Sequence, residues 1–377
     1  MGYDNIVIVG ASAAGAYVAR SLEKSLPTSH RIILIERLDY MYHPISALRG
    51  SVVAGKEHLS FADLDRFFGQ DSRHVVLQAT SVTALSPSSV TISSIFEGSD
   101  TIPFERAVLA LGSSYPVPGR PSSTNKAEAI EGQRRIQRDV AAASSVLIVG
   151  GGPVGVEFAG ELRSVDRQKK VQLVTSGQTL LQGPFKPSLQ KSLLEGLARI
   201  DVPVRFNAKV DLPSDVKTLE LLPQQRSFSL SDGTEVEADL VMIATGARPN
   251  TSLLIESGFS RALDDEKRIK VDAKTLRVLD EGLQNYYSLG DCANAPGTKT
   301  HVAAKFQAPV VASQLLSDLG GARAKVYSAP PSIMVVPLGT SAGASQLFGL
   351  VLGAWITSFM KGKSLFVDDF KKLYASA

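Results

Sequence analysis

Two glycine-rich segments have the residue types and spacing to bind a pyrophosphate group. The first, Gly10-Ala-Ser-Ala-Ala-Gly15, follows the apolar run Ile6–Val9, and the second, Gly150-Gly-Gly-Pro-Val-Gly155, follows Ser145–Val149. Glycine lets a ligand approach the backbone without a Cβ clash, and a helix that begins at such a turn offers free N–H groups to an anion. We expect one dinucleotide to contact Gly10, Ala11, Ser12, Ala14 and Gly15, and another to contact Gly150, Gly152, Pro153, Val154 and Gly155.

The residues after the next apolar run indicate which nucleotide each turn could hold. Glu36 follows Gly15 by 21 residues, where a carboxylate can bind both hydroxyls of an adenosine ribose. The matching place in the second unit holds Thr175 and Ser176, with neither the acid that favours NAD nor the arginine that favours NADP. NADH is slightly favoured because no cation is in place for a 2′-phosphate, but the choice between NADH and NADPH stays open.

Each unit is followed by an apolar run that ends in a tight glycine turn, Leu109-Ala-Leu-Gly112 and Ile243-Ala-Thr-Gly246. A further motif, Tyr287-Ser-Leu-Gly-Asp-Cys292, places an acid at the end of a buried strand. A Gly-Asp pair alone is more often a turn or a cap. After two dinucleotide units, we interpret Asp291 as a residue that binds the ribityl hydroxyls of FAD.

Two single residues bear on the chemistry. Glu157 lies just inside the helix after the second turn, where a carboxylate has a function near a ligand or simply complements the helix N-terminus. Cys292 is the chain's only cysteine, which excludes an internal disulfide, a CxxC redox pair and a cysteine-rich metal site. The five histidines show no metal-binding spacing, so we expect no metal centre. Without a cysteine pair or a metal to receive them, electrons must pass from the flavin directly to an outside acceptor.

These motifs need two β-turn-α-β units to position them, which indicates an internal duplication of a fold. We expect helices to about Leu26 and Val165, followed by the strands Arg31–Ile35 and Lys170–Val174. Other strands are expected at His74–Gln78, Ser89–Ile95, Arg106–Leu111, Val204–Ala208, Ser227–Leu230 and Asp239–Thr245. A helix from about Val302 to Leu319 precedes C-terminal strands near Ile333–Leu338 and Ala344–Leu347, and an apolar helical stretch follows.

The sequence thus predicts an α/β fold with two Rossmann-like domains and a small α+β C-terminal domain. Pro116–Gly119 and Arg248–Asn250 have the composition of hinges. We place the first part of an FAD domain at residues 1–118, an inserted NAD(P)H domain at 119–247, the rest of the FAD domain at 248–325, and a C-terminal domain near the acceptor or a membrane at 326–377.

Composition narrows the class of protein and its compartment. The 377 residues carry a net charge of +3 with no long basic block, so we expect no nucleic-acid partner. No signal peptide fits ahead of the first strand, and no apolar run reaches about 18 residues. We therefore expect a cytoplasmic protein that is not secreted.

In chain order, the motifs GxSxxG, ALG, GGGPVGVE, ATGARPN and GDC resemble those of the two-dinucleotide-binding-domain flavoproteins over about residues 4–320. The segments His43–Arg49, Gly150–Glu157 and Lys361–Phe366 are similar to the AMID-like, apoptosis-inducing-factor-like branch, which includes the ferroptosis suppressor proteins. This resemblance covers essentially the whole chain. It implies an FAD-dependent NAD(P)H:quinone oxidoreductase that acts on ubiquinone and other lipid quinones.

The resemblance also implies roles for individual residues. The catalytic residues would be Glu157 near the nicotinamide, His43 near the isoalloxazine, and Lys361 at its far side by the acceptor site, where Lys361 or His43 could stabilise charge on a quinone or deliver a proton. The remaining residues expected to bind the cofactors are Glu36, Arg37, Arg49, Val82, Ala110, Gly112, Thr175, Gly246 and Asp291.

The apolar stretch Leu347–Met360 allows two interpretations. It could line a tunnel or touch a membrane, with Trp355 and Phe359 at the interface and nearby lysines at the headgroups, or it could simply pack on the flavin domain. Peripheral attachment to the mitochondrial outer membrane or to lipid droplets, and a homodimer, are further expectations. The chain departs from this branch at two positions. Ser12 replaces a glycine of the usual turn, and Ile6 stands where a myristoylation signal requires serine or threonine.

Two alternatives to quinone reduction stay open. The chain could be a specialised FAD-dependent oxidase or reductase of a biosynthetic pathway, including a reductase for a ferredoxin-like protein. It could also be a redox-sensing protein like the apoptosis-inducing factors, in which slow flavin reduction and a long-lived charge-transfer complex matter more than turnover.

Overall fold

The computed structural model describes residues 2–375. Its strands are β1 (Asp4–Val9), β2 (His30–Ile35), β3 (Met41–Tyr42), β4 (Phe61–Ala62), β5 (Val75–Leu77), β6 (Val82–Leu85), β7 (Ser89–Phe96), β8 (Ser99–Pro103), β9 (Arg106–Leu109), β10 (Ser113–Ser114), β11 (Ser145–Val149), β12 (Lys170–Val174), β13 (Val204–Arg205), β14 (Arg226–Ser229), β15 (Glu235–Ala238), β16 (Leu240–Ile243), β17 (Arg248–Pro249), β18 (Tyr286–Ser288), β19 (Met334–Leu338), β20 (Ala342–Leu347) and β21 (Leu350–Leu352). Its helices are α1 (Ala13–Glu23), α2 (Pro44–Gly50), α3 (Lys126–Ala142), α4 (Pro153–Val165), α5 (Pro187–Arg199), α6 (Ser252–Glu256), α7 (His301–Asp318), α8 (Ala354–Thr357) and α9 (Val367–Tyr374).

The first sheet is parallel and takes strands from distant parts of the chain. Its order is β18-β9-β1-β2-β5, and β1 is buried at every position after Asp4. A parallel strand covered on both faces requires such a continuous apolar run, which Ile6–Val9 supplies. The helices α1 and α7 pack against each other beside this sheet.

The second sheet repeats the arrangement of the first. Its order is β13-β12-β11-β16, all parallel, and β11 is buried along its whole length. In both units the glycine turn joins the first strand to a helix, at α1 and at α4. The predicted α/β fold with two Rossmann-like domains is confirmed.

The two sheets are connected by a pair of short strands. The chain runs through β10 after β9 of the first sheet and through β17 after β16 of the second. The two strands pair antiparallel, with Ser113 opposite Pro249. Asn250 reinforces the junction, since its N–H donates to the Gly112 carbonyl at 3.0 Å. The exact domain boundaries given above remain a prediction.

The C-terminal part forms an antiparallel sheet, β19-β20-β21, that packs on α4 and α5. The stretch from Leu347, which was expected to be helical, first completes β20 and forms β21, and only then continues through α8 and a π-helical turn, Ser358–Gly362. That turn lies against β19, and α9 packs on α1. Within residues 2–375, no helix is both long and apolar enough to cross a bilayer.

Candidate functional site

A cavity of about 370 Å³ opens at the N-terminus of α1. The α1 turn contributes Ser12, Ala13 and Ala14, and the neighbouring strand ends contribute Ala110, Gly112 and Asp291. Its opposite wall comes from α4 and the C-terminal segment, through Glu157, Lys361 and Tyr374. The volume lies in the usual range for cofactor and small-molecule sites.

The first glycine turn is shaped by close backbone packing. Gly10 has φ +97°, and a Cβ there would collide with the carbonyl oxygen of Ala110. Gly150 repeats this against Ala244 in the second unit, with φ +127°. No side chain caps α1 at Ser12, and Ser12, Ala13 and Ala14 line the cavity, so this helix N-terminus suits an anionic ligand.

Glu36 holds this turn from behind. Its carboxylate accepts the Ala11 N–H at 2.8 Å and the Leu38 N–H at 3.2 Å, and burial raises the pKa of the carboxyl. The neighbouring Arg37 is exposed. Glu36 is thus placed to fix the turn, and each oxygen still has a lone pair for a ribose hydroxyl.

Asp291 faces the cavity at the end of β18. Its carboxylate accepts the Tyr115 hydroxyl at 3.1 Å, and burial raises the pKa of the carboxyl. Gln307, on α7, accepts the Gly290 N–H at 2.8 Å and so fixes the turn before the acid. Tyr115 and Gln307 carried no motif that sequence analysis could recognise.

A second cavity, of about 780 Å³, opens at the N-terminus of α4. Gly150, Gly152, Thr175 and Gly246 line it, as expected for a nucleotide site. A Cβ on Gly152 would contact nothing within 4 Å, so the space in front of this glycine is open to a ligand. Helix N–H donors at both cavities, and the accepting carboxylates of Glu36 and Asp291 at the first, therefore fit the two dinucleotides.

One expectation about the second cavity is wrong. We expected no cation there, but the exposed Lys209, which follows β13, lines the cavity together with Thr175 and Ser176. Sequence analysis missed it because Lys209 lies more than thirty residues beyond the acid position that normally discriminates the nucleotides. The choice between NADH and NADPH therefore stays open.

The two cavities meet. Pro153, Lys299, Thr300 and Met334 line both of them. Ligands bound at the two glycine turns can therefore approach each other at this junction, which direct hydride transfer requires.

Glu157 and Lys361 form a buried ion pair on the wall of the first cavity. The Lys361 ammonium donates to Glu157 Oε1 at 2.6 Å and to the Val335 carbonyl at 3.2 Å. Lys361 is 8% exposed and Glu157 is 5% exposed. Burial raises the pKa of the Glu157 carboxyl, and the Lys361 charge opposes that rise. The structure thus brings together the glutamate expected near the nicotinamide and the lysine expected at the acceptor site, and their roles stay predictions.

Arg49 has a different position from the one expected. Its guanidinium is buried and pairs with Glu161 at 2.7 and 2.9 Å, and it also donates to the Gly362 and Lys363 carbonyls at 2.7 and 3.2 Å. It does not line the cavity. Arg49 was expected to contact the cofactor because the resemblance covers its segment, but these contacts join α2 and α4 to the C-terminal segment.

His43 lines the cavity as a neutral imidazole. Its Nε2 lies 2.9 Å from the Leu365 carbonyl, which can only accept, so Nε2 carries the hydrogen. Burial lowers the pKa of His43 to about 4, and its ring stacks on Phe370 at 4.6 Å. His43 was expected to stabilise charge on the acceptor or to deliver a proton; its Nε2–H is already bound to the Leu365 carbonyl, and that role stays a prediction.

Two other residues lie away from the cavities. Val82 is half-buried in β6 and packs against the core of the first unit rather than lining either cavity. The Cys292 thiol is buried between the Leu109 and Leu289 carbonyls at 3.6 and 3.4 Å, and burial raises its pKa. Neither residue is in a position to react with a ligand.

Comparisons with known proteins agree with this geometry. The family model described as pyridine nucleotide-disulphide oxidoreductase matches residues 4–308. The chain is 27% identical to ferroptosis suppressor protein 1 of Taeniopygia guttata over 96% of this chain and 94% of that protein. It is 24% identical to apoptosis-inducing factor homolog B of Dictyostelium discoideum, over 97% and 95% of the two chains.

Among solved structures, the chain is similar to an NAD-dependent persulfide reductase from A. fulgidus. The TM-score is 0.70 at 20% identity, over 91% of this chain, which spans 64% of that protein's length. At this identity the likeness concerns the fold alone. The resemblance to the apoptosis-inducing-factor-like branch, predicted from the motifs, is confirmed by the curated relatives.

Proposed function

Because the chain belongs to the pyridine nucleotide-disulphide oxidoreductase family, we propose that it is an FAD-dependent NAD(P)H:quinone oxidoreductase. The chain is an NAD(P)H-dependent flavoprotein oxidoreductase, so the proposal concerns its acceptor and the residues that act on it. A lipid quinone of the ubiquinone type is the proposed acceptor.

The proposed binding residues are the two glycine turns, residues that line the cavities beside them, and Glu36, which holds the first turn from behind and does not line a cavity. The turn Gly10–Gly15 with Glu36, Ala110, Gly112 and Asp291 holds FAD, and the turn Gly150–Gly155 with Thr175 and Gly246 holds the nicotinamide nucleotide. When bound, the flavin supplies a carrier that takes a hydride from the nicotinamide and passes two electrons to the acceptor. The junction at Pro153 and Thr300 is where the two ligands would meet.

The buried pair of Glu157 and Lys361 is the observation that carries the proposal. A quinone gains negative charge on its oxygens during reduction, and a preorganised cation in a low-dielectric site stabilises such charge strongly. Lys361 has three N–H groups, of which Glu157 and Val335 use two, so one is available to an acceptor oxygen. Glu157 keeps the ammonium aimed into the cavity.

The position of Cys292 argues against a disulfide acceptor. Disulfide exchange requires an accessible thiolate, whereas this thiol is fully buried and its pKa is raised by burial. It is the chain's only cysteine. Electrons therefore leave the site directly for a molecule that enters the first cavity.

A comparison of acceptors tests the proposal. The purified, FAD-loaded protein is given NADH or NADPH under anaerobic conditions with a short-chain ubiquinone or an oxidised disulfide, and in parallel with oxygen alone. We expect ubiquinone to support much faster nucleotide oxidation than oxygen, and no reaction with the disulfide. A rate with oxygen that equals or exceeds the ubiquinone rate would show a flavin oxidase instead.

A further inference from the structure

A half-buried pair of side chains outside the Glu157–Lys361 site lies between the first cavity and the protein surface. His301, the first residue of α7, lines the cavity, and its Nε2 lies 3.3 Å from the Tyr17 hydroxyl on α1. Tyr17 is half-buried, and the exposed Lys305 lies 5.8 Å from its ring. Lys305 in turn lies 4.0 Å from the exposed Asp369 of α9. The hydroxyl and the imidazole thus lie between solvent-exposed groups and the cavity.

Quinone reduction requires a proton that the nucleotide does not supply. A quinone takes two electrons and two protons to become a quinol, and the hydride of NAD(P)H carries two electrons and one proton. The balanced reaction is NAD(P)H + H⁺ + quinone → NAD(P)⁺ + quinol, so one proton must come from solvent. This requirement rests on the proposed function.

Several other titratable groups on the cavity wall are bound by other partners, and the Lys299 ammonium binds the Ala295 carbonyl. Lys361 is held by Glu157 and Val335, and the His43 Nε2–H is bound to the Leu365 carbonyl. Asp291 accepts the Tyr115 hydroxyl. His301 differs from them because its partner is a hydroxyl on the half-buried Tyr17, which can both donate and accept.

We propose that Tyr17 and His301 form the path by which the solvent proton reaches the acceptor in the first cavity. A quinone oxygen that gains negative charge takes the Nδ1 proton of the neutral imidazole while Nε2 takes the proton of the Tyr17 hydroxyl, and Tyr17 takes a proton from solvent beside Lys305 and Asp369 in the same concerted step. The imidazole then carries its hydrogen on Nε2, and this hydrogen moves back to Nδ1 before the next turnover.

The charges around His301 disfavour an imidazolium or a tyrosinate, so the transfer has to be concerted. The groups that face it are Tyr17 on α1, His43 before α2, Lys305 on α7, Asp369 on α9 and Lys361. Burial, together with Lys305 and Lys361, lowers the pKa of His301 to about 4, while burial raises the pKa of Tyr17. Both groups are therefore neutral at rest, and each passes a proton on rather than holding it.

The test compares an acceptor that needs protons with one that does not. The variants His301→Gln and Tyr17→Phe are reduced by NADH and then mixed with a short-chain ubiquinone or with ferricyanide, which takes electrons alone. We expect each variant to lower the ratio of the ubiquinone rate to the ferricyanide rate by about tenfold or more, within the usual contribution of general acid catalysis. The exposed His58→Gln is the matched control, with an unchanged ratio.

A solvent isotope effect and chemical rescue complete the experiment. We expect the ubiquinone reaction of His301→Gln to show a larger rate decrease in D₂O than wild type, and added imidazole to restore the rate of His301→Ala. An unchanged ratio in both variants, or an equal loss with both acceptors, would overturn the proton path. A wild-type protein that reduces ferricyanide but not ubiquinone would instead contradict the proposed function, and the path with it.

Discussion

At the residue scale, the chemistry depends on one ion pair in a place where an unpaired charge is costly. Glu157 and Lys361 come from α4 and from the π-helical turn, 204 residues apart in the chain. Burying two charges together is acceptable because each satisfies the other, whereas removing one partner leaves the other without compensation. A buried pair of this kind is thus weak evidence for stability, and its effect on a ligand has to be tested directly.

Replacing Lys361 by methionine tests the pair. We expect quinone turnover to fall by about a hundredfold or more, and the free energy of unfolding to fall by about 3–5 kcal/mol. Without the cation, burial keeps the folded-state pKa of Glu157 above its unfolded value, so the carboxyl binds a proton in the folded state and stability decreases as pH rises. Thermal unfolding at about pH 5 and about pH 8 should show the larger loss at the higher pH.

Two further variants separate charge from packing. Lys363→Met, at an exposed lysine two residues further on, is the matched control and should retain both turnover and stability. The double variant Lys361→Met/Glu157→Gln should regain much of the stability, since neither side chain is then charged, but not the turnover. Recovery of turnover in the double variant would show that the pair is only structural.

At the element scale, the π-helical turn is held in place by α2 and α4. Glu157 and Glu161 lie one helical turn apart on α4, and they pair with Lys361 and Arg49 respectively. Arg49 also binds the Gly362 and Lys363 carbonyls at the end of the turn. We infer that the Arg49–Glu161 pair positions the backbone that carries Lys361 into the cavity.

Arg49→Met should therefore loosen the segment without removing a group from the cavity wall. We expect faster amide hydrogen exchange in residues 358–365 and quinone turnover reduced by about tenfold, because a small displacement of a catalytic group is costly. Arg134→Met breaks the half-exposed pair with Glu57 at 2.9 Å and is the matched control. Protection of residues 358–365 equal to that of wild type would rule out this positioning role.

The same C-terminal elements expose large apolar side chains. Trp355 and Phe359 are 80% and 75% exposed with stacked rings 6.5 Å apart, and Phe348 and Leu350 at the β20–β21 hairpin are each 67% exposed. We propose that they contact a lipid surface, because this segment runs directly into Lys361 and the proposed acceptor is lipid-soluble. Exposed Lys363, Lys371 and Lys372 supply positive charge for anionic headgroups.

Vesicle co-sedimentation checks this contact. We expect wild type to bind vesicles that contain anionic lipid more strongly than neutral ones, and Trp355→Ser/Phe359→Ser to lose most of the binding. Ile95→Ser, at an apolar residue that is 72% exposed elsewhere, is the matched control. Equal sedimentation of the double variant and wild type would argue against a membrane contact through these residues.

The sequence predicted the elements whose signals are local. The strands β11 and β12 have the predicted bounds, and the helix after the second turn ends at Val165, because apolar runs and glycine turns specify them. It did not predict that Lys361 meets Glu157 or that Arg49 meets Glu161. Those contacts depend on how the C-terminal sheet packs on α4, which is a long-range property without a local pattern.

At the scale of the whole molecule, the duplicated fold places two ligand sites against each other. Each cavity opens at the glycine turn of one unit, and the segment after the GDC motif, at Lys299 and Thr300, lines both. The C-terminal segment then closes the first cavity with Lys361 and Tyr374, whose hydroxyl donates to the Ala11 carbonyl at 2.8 Å.

The central claim is that electrons from NAD(P)H reach a quinone through this cavity, and double-mixing stopped-flow absorbance tests it most directly. The yellow protein is reduced anaerobically by NADH or NADPH and then mixed with a short-chain ubiquinone or with oxygen. We predict rapid bleaching, with the faster nucleotide as the donor, and reoxidation by the quinone far faster than by oxygen. Slow bleaching, or a reduced protein that ubiquinone fails to reoxidise, would contradict the account and favour an oxidase or a redox sensor.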